Sequence, residues 1–479
     1  MPSIEPGIRS SKAHDWIAIP LFSFFLLVPC FWQSRIQAAD LGSHIYNAWL
    51  VSKIQQDSAP GLWLSHPSNN VLFDLMLDWL IVRVGPSLAQ RFSVAIAVLI
   101  LGWGALRFIF RASERNWWFA GPCVAMLCYG FVFHMGFFNF YLSIGLCLWY
   151  LAFVWGGNWQ IHALAFPLLI LACTAHPFPV VWAIGVSAYA GIARWFPLNR
   201  GGLLAVSGIA GVALVRLLLT HRYLYTWSPR QLFFATGANQ LEVFGMKYMV
   251  PFAALLLLWM LRFRRLVKAV GLRRMFASIP FQLWMVTAAA VALIPDRVLF
   301  PQYALPFGFI TDRLSLAAAL MICAVLAGVP NTKADTIALL SVTLLFFGFL
   351  YADNRDLNRL EDRLEAAVIH LPPQQRVVNS LLDRSLRSLC LQHDLDRACI
   401  GHCFSYGNYE PASRQFRVRA SRDNEFVLGD FVDVDAASEG KYVVRDRDLP
   451  LFLIYACGTN LHDFCARPLW ASDTDANPK

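Results

Sequence analysis

Residues 16–32 read WIAIPLFSFFLLVPCFW, and a few positions on residues 37–49 read QAADLGSHIYNAW. The first run carries no charge and has the length of a short membrane span. The second opens on a carboxylate, Asp40, just beyond it, with His44 one helical turn later. An uncharged span followed at once by an acid and a probable helix makes this join a membrane boundary rather than a buried core. The runs that resemble the first are at 88–110, 117–134, 139–156, 160–175, 178–195, 202–220, 248–263, 279–294, 314–330 and 335–351. Together they predict an all-α polytopic membrane protein of about eleven transmembrane helices. Composition agrees: 57% of the 479 residues are hydrophobic and 15% charged, against about 25% charged in a soluble domain. This excludes a soluble multidomain enzyme, a disordered chain and a small disulfide scaffold.

Residues 71–86 are a shorter run holding Asp74, Asp78 and Arg83, which are costly at the bilayer centre. With 41–56 they are expected to form interfacial helices in a long first external loop, 33–87. Charge bias supports that choice. It places Arg111, Arg115, Arg194, Arg200, the cluster from Arg264 to Arg274, and Lys333 in short cytoplasmic loops, as the positive-inside rule requires. The N-terminus, with Arg9 and Lys12, is then inside, the first span is uncleaved, and the chain beyond Ala352 is outside. Residues 1–350 hold 24 Lys+Arg against 11 Asp+Glu; residues 351–479 hold 16 against 20. The basic pI therefore belongs to the membrane part and is not a nucleic-acid signal.

The layout divides into a transmembrane domain, 1–351, and a small α/β extracytoplasmic domain, 352–479. The tail begins with a charged helix, Asp353 to His370, with Leu357, Leu360 and Leu364 on one face, stopped by Pro372 and Pro373. Residues 415–419 alternate like a strand. Five of the 11 cysteines lie here: Cys390, Cys399, Cys403, Cys457 and Cys465. Export permits two disulfides with one thiol left over, in a connectivity that spacing leaves open. Cys399 to Cys403 with His402 lacks the second ligand pair of a zinc signature, so no metal is expected.

Candidate chemistry concentrates in the first loop. A hydroxyl nucleophile needs a carboxylate within hydrogen-bond reach, and Asp40 and His44 offer an acid and an imidazole on one helical face. The competing role for Asp40 is a plain N-cap. His66, Asp74, His134, Asn139 and His176 fall in external loops or at span ends and are candidates to touch substrate; the bland alternative is polar groups satisfied at an interface. Asp74 and Asp78 share a helical face, and water is their simplest partner. Arg313, Arg297, Arg222, Arg230 and Lys247 lie in external loops. Arg313, beside Asp312 at the mouth of a late span, is the first choice for a phosphate.

The layout from 1 to 351 resembles the membrane glycosyltransferases of the GT-C superfamily. Its features are a short first span, a long external loop with an early acid, and two interfacial helices with His66-Pro67 before the second. The nearest likeness is the protein mannosyltransferase and lipid A aminoarabinose transferase group. Residues 136–142 (GFFNFYL), 309–313 (FITDR) and 403–411 (CFSYGNYEP) resemble bacterial members of uncharacterised function. The resemblance implies a GT-C-like fold in a bacterial inner (plasma) membrane. It implies a polyprenyl-phosphate sugar donor, a glycan, lipid or protein acceptor at the external face, and no cofactor. It gives the early acid, Asp40, the part of base or acceptor-orienting group. Where many members carry a second acid, this chain has Leu41 and Gly42.

No Walker loop, GxGxxG, HExxH or GxSxG pattern is present, which leaves ATP-driven transport and zincin or serine hydrolysis without support. Two rivals stay open: a lipid-linked glycan transporter or flippase, which should show paired repeats, and an inactive membrane scaffold with an exported binding domain.

Overall fold

A computed structural model describes residues 12–113, 119–196, 201–380, 386–438, 440–457 and 463–473. Arg9, Arg115, Arg200 and the polar end beyond Asp473 lie outside these residues. The described chain is mostly helical, with a small sheet region near its C-terminus. It begins with α1 (Lys12–Phe31), α2 (Leu41–Gln55), the short strand β1 (Leu62–Leu64) and α3 (Leu72–Ser113). Then come α4 (Ala120–Cys128), α5 (Phe131–His134), α6 (Phe138–Val154), α7 (Trp159–Ala175), α8 (Pro177–Ala193) and α9 (Gly201–Arg222). A ribbon of β2 (Leu224–Thr226) and β3 (Arg297–Leu299) brackets α10 (Gln231–Phe234), α11 (Met249–Val270), α12 (Leu272–Ala277) and α13 (Ile279–Leu293). After α14 (Ile310–Leu326) and α15 (Lys333–Ile369) the sheet region begins.

A helix occupies each of the eleven apolar runs. Three of them, α3, α9 and α15, are long and apolar enough to cross a membrane. Leu203, Val206, Leu214, Leu217 and Leu218 of α9 are exposed, an apolar surface that suits lipid better than water. α14 is its opposite: apart from Asp312 and Arg313 every residue is buried, so it forms the centre of the bundle. The run at 117–134 is not one helix. It breaks after Cys128, where Gly130 lies so close to the Gln240 carbonyl that no Cβ fits. In α3, Gly85 takes a non-helical conformation (φ 77°) that only glycine adopts easily. It divides a short arm, 72–84, from the long apolar segment beyond.

The last apolar run and the charged tail helix are expected as two elements but form one, α15. Nothing between Leu350 and Asp356 breaks it, and a Thr332–Asp335 capping box starts it. The remaining elements are β4 (Arg376–Ser380), α16 (Leu386–Ala398), β5 (Phe404–Ser405), α17 (Tyr409–Ser413), β6 (Val418–Ala420), α18 (Phe431–Ser438), β7 (Leu451–Cys457) and β8 (Asp463–Leu469). They build a sheet of order β5-β4-β7-β8 in which β4 is parallel to both β5 and β7. Of the strand expected at 415–419 only its end survives. β6 pairs antiparallel with β1 of the first loop, with Leu62 opposite Ala420. Disulfides join Cys399 to Cys403 and Cys457 to Cys465, while the Cys390 thiol is buried.

First loop and tail share one hydrophobic core, with Tyr46, Leu50 and Leu62 against Leu364, Leu395 and Ile454. α2 therefore lies between α3 and α16, buried along most of its length, rather than along a surface. Two groups of polar contacts lie near opposite helix ends. At one end the Ala39 and Asp40 N–H groups donate to the His134 and Met135 carbonyls (2.8 and 3.2 Å). There too Val71 N–H reaches the Thr174 carbonyl (3.1 Å), and Lys247 meets Asp353 (2.8 Å). At the other end Arg111 donates to the Trp155 carbonyl (3.4 Å) and Arg194 covers the Trp155 ring. Asp335 takes Arg262 (2.9 Å) and Arg265 at that same end.

Candidate functional site

Asp40 stands at the N-cap position of α2, but its backbone is already helical (φ −71°, ψ −8°) and its side chain makes no capping bond. The capping role is thereby corrected: the carboxylate points elsewhere. Its Oδ1 lies 3.7 Å from Nε2 of His393, on α16 of the tail. Two glycines permit the approach. A Cβ on Gly136 would strike the Asp40 backbone, and a Cβ on Gly42 would strike the His393 carbonyl. The position where a second acid is absent is thus the one against which α16 packs.

His44, one turn on, bonds through Nδ1 to Asp74 Oδ1 (2.6 Å). Asn139 holds the other oxygen (2.8 Å) and accepts from Phe73 N–H (2.9 Å), so it fixes both Asp74 and the start of α3. Asp74 and Asp78 keep part of their surface exposed, and Asp78 also pairs with Arg417 of the tail. Burial opposes the charge on His44. The carboxylates of Asp74, Glu410 and Asp40 outweigh it and raise the imidazole to about 9. Glu410 comes from α17 and accepts from the Ser43 hydroxyl (3.3 Å). Burial first, with Asp74 and Asp40 adding to it against His44, pushes Glu410 up to about 8. The cluster therefore holds protons that isolated side chains would have lost at neutral pH.

His393 is held on its far side by Asp396 (Nδ1 to Oδ2, 3.1 Å), and the Ser405 hydroxyl donates to the same carboxylate. Burial lowers the His393 imidazole, but Asp396, Asp40 and Glu410 together raise it above its ordinary value. The Tyr409 ring meets the His393 ring edge-on at 5.6 Å. A cavity of about 170 Å³ opens beside these groups, lined by His393, Asp396, Ser405 and Tyr409. A smaller one lies by His44, Asp74 and Glu410.

Arg313 approaches the cluster from α14. Its guanidinium sits 4.0 Å over the Phe137 ring, its Nε has no hydrogen-bond partner among the described residues, and Asp40 is the carboxylate whose field it feels most. Phe309, one turn earlier, holds a left-handed conformation (φ 55°) rare for a bulky side chain. Its ring lies 5.5 Å from Phe137. Such strain recurs where a site demands it.

Of the residues singled out in the sequence, Asp40, His44, Asp74, Asn139 and Arg313 come together. His176 lies at the edge: its Nδ1 accepts from Phe178 N–H (3.2 Å) and its ring stacks on Phe307. His134 is buried and bonds the Gln37 carbonyl (2.9 Å), which makes it part of the floor. His66 is exposed after β1, and no hydrogen bond or ion pair joins it to the cluster among the described residues. Sequence reasoning missed His393 and Asp396. Their i, i+3 spacing on a charged helix was a usable signal. Glu410 and Tyr409 lay inside the quoted 403–411 segment. Among the described residues no His/Cys/Asp/Glu group is arranged to hold a metal ion. Comparisons with family models, with curated proteins and with solved structures give no match.

Proposed function

We propose that this chain is a polytopic membrane glycosyltransferase of GT-C type, acting at the external face on a polyprenyl-phosphate sugar. One observation carries the reading: an acid from the first loop, an imidazole–carboxylate pair from the tail and a cation from the central helix converge at one end of the bundle. In the reaction an acceptor hydroxyl oxygen attacks the anomeric carbon. The bond from that carbon to the phosphate oxygen breaks, with inversion. Asp40 takes the hydroxyl proton. Arg313 meets the charge left on the polyprenyl phosphate, its aromatic seat keeping the guanidinium in place. His393, steadied by Asp396, orients Asp40.

The same reading gives eleven spans in a bacterial inner membrane, N-terminus inside, tail outside. The basic residues around Trp155 and Asp335 gather opposite the site, which suits the positive-inside rule. Two disulfides suit an oxidising compartment.

The test uses vesicles containing the full chain, radiolabelled polyprenyl-phosphate hexoses as donors and an envelope extract as acceptor. Asp40→Asn is expected to cut transfer by about 10²- to 10⁴-fold, and Arg313→Gln to raise the donor KM. Full transfer by Asp40→Asn at normal protein level sinks the mechanism.

A further inference from the structure

The tail grips the first loop through one buried knot of charge. Glu361 of α15 is 1% exposed. Its carboxylate accepts from Arg397 Nε (2.6 Å) and Nη2 (2.7 Å), and from the Gln37 side chain of the first loop (2.8 Å). Arg397, on α16, directs its Nη1 at neutral oxygens, the Ile36 carbonyl and the Gln90 amide. Arg35 lies 3.5 Å from Glu361, but its two Nη groups point to the exposed carboxylates of Asp362 and Glu365. These bonds fasten α16, α15, α3 and residues 35–37 at one point.

Asp394, one turn before Arg397 on α16, is the group that this knot leaves unsatisfied. It is 3% exposed. Its Oδ1 shares Arg397 Nη2 (2.8 Å), and its buried Oδ2 has no hydrogen-bond partner among the described residues. Two buried carboxyl groups thus face one buried guanidinium. Glu361 receives three N–H donors and Asp394 one, so Glu361 is the better-stabilised anion. A second anion here is an uncompensated buried charge, which is strongly unfavourable; a proton on Oδ2 removes it. Burial, with the Glu361 charge adding to it, holds the Asp394 carboxyl well above the ordinary carboxylate range, against the pull of Arg397 and Arg35. Also beside α16 are its own Cys390, His393 and Asp396, Asp40 of the first loop and Glu410 of α17. α3 adds Arg91, which bonds the Gln33 and Ser34 carbonyls.

We infer that Asp394 carries a proton in the assembled chain, and that loss of this proton releases α16 from the first loop. The O–H bond on Oδ2 breaks, the proton passes to water, and a carboxylate stays beside Glu361. Repulsion between the two then favours an arrangement in which Asp394 meets solvent. That movement carries the adjacent His393 away from Asp40, 3.7 Å off in the closed arrangement, so assembly of the site depends on pH. A carboxyl raised above its ordinary 3.8 holds the fold fully below that pH, and the hold is lost as pH rises through the folded value.

Two measurements on the full chain in lipid nanodiscs test this, and neither needs sugar transfer, so the result stands apart from the transferase reading. The first is the infrared difference between wild type and Asp394→Asn at neutral pH. The expected loss is a protonated-carboxyl C=O band that shifts in D₂O. Loss of a carboxylate band instead overturns the inference. The second is amide hydrogen exchange of residues 390–398, wild type against Asp394→Asn in the same buffer so that the chemical effect of pH cancels. Protection in wild type is expected to fall below that of the variant on the alkaline side, by up to about tenfold per pH unit for one proton. Equal protection at every pH overturns the release. Asp394→Leu, also neutral, takes the place of Asp394→Asn in both measurements should that variant lose its disulfides or its melting transition.

Discussion

Arg397 is a heavily engaged cation of the tail. It bonds both Glu361 oxygens (2.6 and 2.7 Å), Asp394 (2.8 Å), the Ile36 carbonyl (3.0 Å) and Gln90 (3.1 Å). Removing one partner of a buried pair strands the other. Arg397→Leu is therefore expected to destabilise the chain by about 3–5 kcal/mol, read by chemical unfolding, and adding Glu361→Leu to restore part of it. No gain from the double variant would mean that Glu361 is not the stranded charge. The His44–Asp74 bond predicts a pH dependence. The folded imidazole sits above its ordinary 6.5, at about 9. Its stabilisation is full below 6.5 and fades as pH rises through about 9. Glu410, also raised, acts in the same direction. The melting temperature should fall across that window, and His44→Gln should flatten the fall. Superimposable curves would deny His44 the charge assigned to it. Asp40, His44 and Asp74 were legible because they lie within one loop. His393 was not, because its meaning depends on a partner more than 350 positions away, which no local pattern encodes.

At the scale of elements, positions of apolar helices follow from hydrophobic runs, and their ends from glycine and proline. Continuity does not. α15 runs from apolar to charged composition without a break, since helical hydrogen bonding is indifferent to which solvent surrounds it. The gap after Cys128 coincides with a close approach of the Gln240 backbone to Gly130, which sequence gives no means to foresee. β1 is three residues long and too short for a period-2 signal; it exists because β6 completes it. That dependence is testable. Trp63→Pro removes a ladder donor and restricts the backbone, so residues 414–422 should become open to trypsin in intact vesicles, with little change in the melting of the helical bundle. Resistance equal to wild type would show that the shared core alone holds the tail.

For the whole molecule, the orientation proposal makes a joint prediction. Reporter fusions at Lys333 and Ala352 should report opposite sides of the membrane. Peptide mapping without reductant should return the Cys399–Cys403 and Cys457–Cys465 pairs with Cys390 unmodified. Same-side reporters refute the topology; reduced pairs refute the oxidising compartment. The alliance of first loop and tail also has a temporal consequence. A ribosome delivers Asp40 early and His393, Tyr409 and Glu410 only near the end of the chain. Closing so long a loop is slow. Throughout synthesis the nascent chain thus carries its acid without the groups that complete the site. A chain that stops short of the tail would carry Asp40 without its His393 partner.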